Sequence, residues 1–216
     1  MKPLFVPFIP DLHKKTLQEA SVIMETCATR IPVSCASWQE FTYIPVVTAD
    51  VAADKDFLAV KFFVRGFGLK AVYDKPNDPV WQDSCVEVFI ADADNKGYRN
   101  FEVNCIGTLL SAYQTARGVD VTRIDAEDYK KIIIETSVTN ETFEEKTGIH
   151  QWEALIFIPF KILGYNLRPE TIRANFYKCA DGSKWPHYVS WMPIDTPEPD
   201  FHRPEFFGTL QLEPVR

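Results

Sequence analysis

The alternating pattern of residues 57–64 constrains the fold of this chain more than any other feature. In an extended strand, Leu58, Val60, Phe62 and Val64 would point to one side, and the residues between them would point to the other. The pattern therefore predicts a strand with one fully apolar face. Such a face has to be covered by a second layer of structure, which favours a layered β fold.

From Pro32 onward, other short runs of β-forming residues are separated by Pro, Gly, Asn and Asp. The further candidate strands are residues 43–51, 69–73, 84–91, 98–105, 108–114, 131–138, 151–158, 172–179, 187–192 and 207–213. Eleven strands in total predict an all-β chain, a β-sandwich of two mainly antiparallel sheets. The acidic stretch from Asn140 to Glu145 is typical of a surface loop.

A short amphipathic helix is predicted within residues 11–28. Its apolar residues recur at helical spacing: Leu17, Ala20, Met24 and Cys27. Asp11 or Thr16 would cap its N-terminus. Since 216 residues contain no linker or repeat, we expect one domain, with residues 1–30 as a helical extension and residues 31–213 as the β-sandwich.

Charge and hydropathy narrow the class of partner. The net charge of −7 argues against nucleic acid, because nucleic-acid binders present a basic face to the phosphates. No window approaches the roughly 20 apolar residues of a membrane span, so no membrane partner is expected. The N-terminus also lacks the apolar run of a secretory signal, which favours the cytoplasm. A secreted or periplasmic location is expected instead if a leader has been trimmed from this sequence.

The cysteines do not indicate a metal or disulfide framework. There are five of them, at positions 27, 35, 85, 105 and 179, and no two form a CxxC pair. The four histidines are widely spaced, without an HxH or HxxxH pair. We interpret the cysteines as reduced core residues and expect no cofactor from these residue types.

A polar surface is predicted around the segment WQDSCVEVFI, residues 81–90. Alternation places Glu87 on the opposite face from the neighbouring valines, and Glu102 and Asn104 on the polar side of the next strand. If the two strands pair as a hairpin, these three side chains share one surface. Carboxylates, an amide and nearby rings suit the hydroxyls and C–H faces of a sugar, but the same pattern is also that of an ordinary solvated sheet face.

Two aromatic residues in loops are candidates for stacking on a sugar. Trp81 precedes the strand that carries Glu87, and Phe201 lies in a Pro-rich stretch near the C-terminus. His202, next to Phe201, would either donate a hydrogen bond to a ligand or tie its own loop to a backbone carbonyl.

At these residues the chain resembles carbohydrate-binding module family 9. Four blocks carry the resemblance: WQDSCVEVFI from Trp81, YRNFEVNCIGTLLSAY from Tyr98, WEALIFIPFKILG from Trp152, and IRANFYKC from Ile172 continuing with HRPEFFGTLQL from His202. They occur in order over most of residues 31–213. The resemblance implies a β-sandwich that binds mono- or oligosaccharides of the glucan or xylan type, without catalysis, in polysaccharide breakdown and alongside a glycoside hydrolase.

The resemblance also implies roles for particular residues. Trp81 matches one aromatic clamp, and Phe201 stands where the second clamp is a tryptophan. Glu87 matches a carboxylate that accepts hydrogen bonds from sugar hydroxyls, and Asn104 matches an amide contact. Where sugar-binding members carry an arginine, this chain has Glu102, so a hydrogen-bond donor is replaced by a carboxylate.

Some members of the family also hold structural calcium ions. Asp92, Asp94 and Asn95 offer oxygen ligands in one loop, but they lack the spacing of an EF-hand. The same sequence readily forms a polar turn, because Asn, Asp and Gly tolerate positive φ. The sequence favours the turn over a calcium site.

Two other classes of function remain open at the level of sequence. Glu87 and Glu102 could serve as the two carboxylates of a glycoside hydrolase, which stand roughly 5–10 Å apart. A protein-interaction domain that kept the fold and lost the sugar site is the other alternative.

Overall fold

The computed structural model describes residues 2–215 as two packed sheets with a helix on one outer face. The strands are β1 (Leu4–Val6), β2 (Thr29–Pro32), β3 (Val46–Ala53), β4 (Phe57–Ala71), β5 (Cys85–Ala91), β6 (Tyr98–Asn104), β7 (Leu109–Gln114), β8 (Thr122–Arg123), β9 (Ile133–Thr136), β10 (Phe143–Pro159), β11 (Thr171–Cys179), β12 (Tyr188–Ser190) and β13 (Gly208–Leu212). The helices are α1 (Leu17–Cys27) and α2 (Ala126–Tyr129).

The two sheets have eight and five strands. The larger sheet has the order β1-β13-β11-β5-β6-β7-β8, with β12 also paired to β11. The smaller sheet has the order β2-β3-β4-β10-β9. All pairs are antiparallel except that of β1 with β13. The predicted all-β sandwich of mainly antiparallel sheets with a short helix is therefore confirmed.

The main core lies between the inner faces of the sheets. From the smaller sheet it receives Val60 and Phe62, from the alternating run in β4. Val88 and Phe176, on β5 and β11 of the larger sheet, are buried against them, and the rings of Phe62 and Phe176 meet edge to face at 6.4 Å. Because side chains alternate along each strand, this packing sends the intervening residues of β5, β6 and β11 to the outer face of the larger sheet.

Helix α1 covers part of the outer face of the smaller sheet. It begins with a capping box: Thr16 Oγ1 accepts from the Glu19 N–H, and the Glu19 carboxylate accepts from the Thr16 N–H. Beneath the helix, Lys61 is buried, and its ammonium group binds Ser21 and Glu25 of the helix and Glu153 of β10. The one charged residue of the alternating run thus anchors the helix to the sheet.

The structure corrects several boundaries expected from the sequence. Residues 1–30 are not only a helical extension, because they contain β1 of the larger sheet and the start of β2 of the smaller sheet. Residues 69–73 largely continue β4 instead of forming a separate strand. The expected loop at residues 140–145 is partly strand, since β10 begins at Phe143. No helix among residues 2–215 has the length and apolar character needed to cross a bilayer.

We expect the free energy of unfolding to depend strongly on the inner side chains of β10. Ile156 is fully buried there, so Ile156→Ala should lower it by about 2–5 kcal/mol through lost burial and a cavity. Ile149, in the same strand, is 64% exposed, and Ile149→Ala should change it by less than about 1 kcal/mol. Urea unfolding of both variants tests this, and equal losses would contradict the described packing.

Candidate functional site

A cavity of about 390 Å³ lies on the outer face of the larger sheet. Side chains of β5, β6, β7 and β11 form its floor, and the loops around residues 81, 117, 181 and 200 form its walls. Its lining residues are Trp81, Glu87, Asn100, Glu102, Leu110, Ala112, Gln114, Arg117, Gly118, Val121, Arg123, Cys179, Asp181, Tyr188, Pro199, Asp200, Phe201 and His202.

Two buried carboxyl groups stand side by side on the floor. Glu87 of β5 is directly opposite Glu102 of β6 in the antiparallel register, and both are less than 5% exposed. The Cys179 thiol donates a hydrogen bond to Glu87 Oε1 at 3.0 Å, and the Asn100 amide donates one to Glu102 Oε1 at 2.6 Å. Glu102 Oε2 has no hydrogen-bond partner within the described chain, so the floor holds an unused acceptor.

Burial and mutual repulsion hold this pair toward its protonated form. Burial raises the pKa of the Glu102 carboxyl to about 7, although the hydrogen bond from Asn100 and the charge of Arg123 act in the other direction. The pKa of Glu87 is raised well above its ordinary value, first by burial and then by the neighbouring Glu102. Two adjacent buried carboxyls of this kind share protons and titrate together.

A third carboxyl group, Asp181, stands in the loop after β11. Burial raises its pKa to about 6, while a hydrogen bond from the Tyr188 hydroxyl favours its ionised form. Tyr188 itself lines the cavity. The cavity therefore combines three carboxyl groups with raised pKa values. Perturbed pKa values of this kind are typical of functional sites.

The Asp181 loop is fixed from behind as well as from the cavity. The Lys70 ammonium donates to the Gly182 carbonyl at 2.9 Å, and the Lys184 N–H donates to the Glu145 carboxylate at 3.1 Å. Trp185 packs edge to face on Phe67 at 4.5 Å. Because Lys70, Phe67 and Glu145 belong to β4 and β10, the smaller sheet holds a loop of the site in place.

Trp81 lies in a single 3₁₀ turn, Val80–Gln82, at the edge of the cavity and is 38% exposed. Its carbonyl accepts a hydrogen bond from the Asp181 N–H at 3.1 Å, which ties the two loops together. The adjacent Asp83 is fully buried and accepts from the backbone N–H groups of residues 72 and 73. The ring of Trp81 is thus exposed on a fixed backbone, as a stacking platform requires.

Asn104 does not line the cavity and instead holds this loop. Its amide group donates to the Tyr73 carbonyl at 2.8 Å and to Asp83 Oδ2 at 3.0 Å, and its Oδ1 accepts from the Thr108 N–H at 2.9 Å. It is fully buried by these contacts. The expected amide contact with a ligand is therefore corrected to a structural role.

Phe201 forms part of the cavity wall but is mostly covered. Its ring stacks on Tyr177 with centroids 4.2 Å apart and an interplanar angle of 12°. Trp38 and Tyr188 surround it at 6.0 Å, and only 8% of the residue is exposed. Phe201 therefore presents an edge of the aromatic cluster and not a free ring face.

His202 offers one hydrogen-bond donor to the cavity. Gln114 Oε1 accepts from the Gly118 N–H, so its amide nitrogen faces His202 Nδ1, at 3.2 Å; the Tyr98 hydroxyl lies 2.9 Å from the same nitrogen. Nδ1 is therefore the acceptor, and Nε2 carries the proton of the neutral ring. Burial lowers the pKa of His202 to about 4, so the ring is neutral at pH 7.

Two arginines stand at the rim of the cavity. Arg117 forms an ion pair with Asp200 at 3.1 Å, and its side chain is 62% exposed. Arg123 projects from the short edge strand β8, and its charge acts on Glu102. A ligand that reaches the rim therefore meets Arg117 as part of an ion pair and Arg123 as a cation without an ion-pair partner among the described residues.

The structure thus brings together five of the six residues singled out from the sequence: Trp81, Glu87, Glu102, Phe201 and His202. Asp181, Tyr188 and the two arginines were missed, because they lie in loops or on strands of two or three residues, which are too short to show periodicity. Asn100 could have been found, since it lies two residues before Glu102 and therefore on the same face of β6.

The loop that contains Asp92, Asp94 and Asn95 is a compact turn. Asp92 Oδ1 accepts from the Lys96 N–H and Oδ2 from the Tyr113 hydroxyl, both at 2.9 Å, while Asp94 pairs with Lys96. Asn95 has a positive φ of 54°, as expected for the turn. Within residues 2–215, neither Asp92 nor Asp94 belongs to a group of three His, Cys, Asp or Glu ligand atoms within 4.8 Å of one another.

Comparison with known proteins supports a common architecture. The family model described as Carbohydrate-binding family 9 matches residues 18–212. A crystal structure from Bacteroides uniformis ATCC 8492, of a protein provisionally assigned as carbohydrate-binding, is 30% identical, with a TM-score of 0.91 over 98% of this chain and 99% of that one. The search of curated proteins gives no match.

Two further solved structures are similar in fold at lower identity. Both are family 9 carbohydrate-binding modules from Caldicellulosiruptor kristjanssonii. The complex with glucose is 13% identical, with a TM-score of 0.60 over 100% of this chain and 97% of that one. The complex with cellotriose is 14% identical, with a TM-score of 0.55 over 100% and 95%.

The buried pair predicts an unusual dependence of stability on pH. Because the pKa of Glu102 is higher in the folded chain than the ordinary 4.5, its contribution to stability is fully present below pH 4.5 and is lost as the pH rises through about 7. Glu102→Gln should therefore flatten the fall in the free energy of unfolding over that range. Urea unfolding at several pH values measures this, and an unchanged slope would contradict the burial of an ionisable group here.

Proposed function

The chain belongs to carbohydrate-binding family 9, and on that premise we propose that the cavity on its larger sheet binds a saccharide without breaking it. The observation that carries the proposal is the unpartnered Glu102 Oε2 on the floor of a cavity with the exposed Trp81 ring at its edge. A sugar ring offers hydroxyls to the acceptor and a C–H face to the tryptophan.

The size and lining of the cavity support a ligand of this kind. Its volume of about 390 Å³ falls within the roughly 300–1,000 Å³ typical of small-molecule sites. In the proposed complex, Trp81 stacks on the pyranose, while Glu87, Glu102 and Asp181 accept from hydroxyls. His202 donates from Nε2, so the site contains donors as well as acceptors.

We extend the proposal to saccharides of the glucan or xylan type. The related modules from Caldicellulosiruptor kristjanssonii, whose structures hold glucose and cellotriose, support a glucan ligand. We further propose that the protein acts with a glycoside hydrolase in polysaccharide breakdown, and in the cytoplasm. Co-purification with a hydrolase from the native cell, followed by fractionation of that cell, tests both statements.

Loss of the Trp81 ring should weaken binding. We expect Trp81→Ala to reduce affinity for the best ligand among glucose, cellobiose and xylo-oligosaccharides by about tenfold or more, because stacking on an aromatic ring is lost. Calorimetric titration measures this. Phe5→Ala is the control, since the exposed ring of Phe5 lies on β1 outside the cavity, and the affinity of this variant should remain that of the unchanged chain. No heat with any saccharide would refute the proposed function.

The same ligands should not be hydrolysed. We expect no release of reducing sugar from cellulose or xylan oligosaccharides, because the proposal assigns Glu87 and Glu102 to hydrogen bonding alone. Steady release that is abolished by Glu87→Gln would instead assign the chain to the glycoside hydrolases. The assay therefore separates binding from catalysis with one variant.

A further inference from the structure

We propose that the preferred saccharide carries a primary ammonium group, as a hexosamine does, and that this group binds between Glu87 and Glu102. The inference rests on the proposed function and specifies the class of sugar. It follows from the balance of charge in the cavity and from the unused acceptor on its floor.

The cavity has more acidic than basic side chains. Its carboxyl groups are Glu87, Glu102, Asp181 and Asp200, and its guanidinium groups are Arg117 and Arg123. Arg117 is already paired with Asp200, so three carboxyl groups face one free-standing arginine on the exposed edge strand. An ammonium group stabilises the ionised form of these carboxyl groups, which burial otherwise holds protonated, whereas a neutral sugar does not.

The other charged and titratable groups around the floor do not offset the excess of carboxyl groups in the cavity. Lys178 lies on the inner side of β11, where its ammonium group binds the Cys179 carbonyl and His187 Nε2. Its charge favours ionised Glu87, but burial and Glu102 oppose ionisation more strongly. Cys179 contributes a neutral thiol, since burial raises its pKa well above the ordinary value. Neutral His202 adds no charge.

The geometry of the pair suits an ammonium group. Side chains directly opposite each other in an antiparallel pair are about 4.5–5.5 Å apart at Cβ, so one small cation can contact both carboxylates. An ammonium group has three donors and no acceptor. Glu102 Oε2, which has no partner among the described residues, would receive one of them.

A metal ion satisfies the same carboxylates less well. Among residues 2–215, the one group of three ligand atoms within 4.8 Å of each other is Cys85, Glu87 and Cys179, and it excludes Glu102 and Asp181. Glu87, Glu102 and Asp181 therefore do not supply three ligand atoms around one point. An ammonium group needs only the adjacent pair, Glu87 and Glu102.

Binding of an ammonium group should release a proton. The cation favours ionisation of both Glu87 and Glu102, so protons held by the pair pass to the buffer while the ligand keeps its own. A neutral sugar leaves the pair protonated. Calorimetry in buffers of different ionisation enthalpy counts released protons, which gives a readout separate from affinity.

The experiment is calorimetric titration at about pH 6.5, where a primary ammonium stays mostly charged. The probes are glucosamine, glucose, N-acetylglucosamine and ethanolamine. We expect glucosamine to bind about tenfold more tightly than glucose or the uncharged N-acetyl sugar, with proton release, because charge-assisted hydrogen bonds are the stronger ones. Ethanolamine, which lacks the sugar ring, should bind at least tenfold more weakly than glucosamine.

Glu102→Gln removes one charge but keeps the shape of the side chain. We expect it to abolish both the preference for glucosamine and the proton release, while Glu144→Gln, on an exposed part of β10 outside the cavity, should change neither. Glucose binding as tight as glucosamine binding would overturn this inference and leave the proposed function intact. Ethanolamine binding as tight as glucosamine binding would also overturn it. Failure of every sugar would refute the proposed function itself.

Discussion

The apolar packing between the two sheets determines where every other group of this molecule can lie. Because side chains alternate along β5 and β6, burying Val88 and Phe101 inside forces Glu87 and Glu102 to the outer face of the larger sheet. That face is not open to solvent, since the segment around Phe201 and the turn that carries Trp81 fold over it. The carboxyl groups are therefore buried between a rigid sheet and its own loops, and their raised pKa values follow from that position.

Periodicity in the sequence was enough to predict the sandwich and most of its strands, because alternation with a period of two is a local property that burial enforces on each strand separately. The segments that were predicted wrongly form strands by pairing with segments far away in the sequence. β1 is a three-residue strand that exists through its pairing with β13 near the other end of the chain. The start of β10 is extended because Phe143 and Lys146 pair with Ala71 and Leu69 at the end of β4, in spite of the two glutamates between them.

The distinction between local pattern and distant contact also explains which residues of the site could be predicted. The pairing of Glu87 with Glu102 was predictable, because two adjacent apolar strands separated by a turn form a hairpin. Asn104 lies on the expected side of β6, but the loop that contains Asp83 covers that end of the sheet, and no local pattern predicts such a cover. Asp181 approaches the floor through the loop after β11, so its role depends on tertiary contacts.

Attachment of the Asp181 loop to both sheets has a consequence for how the cavity responds to a ligand. Lys70 and Glu145 hold the loop from the smaller sheet, while Trp81 holds it from the side of the cavity. A movement of this wall would have to break contacts in two layers at once. The site is therefore preorganised: little conformational entropy is lost on binding, and ligands are selected by their fit to an existing shape, not by closure around them.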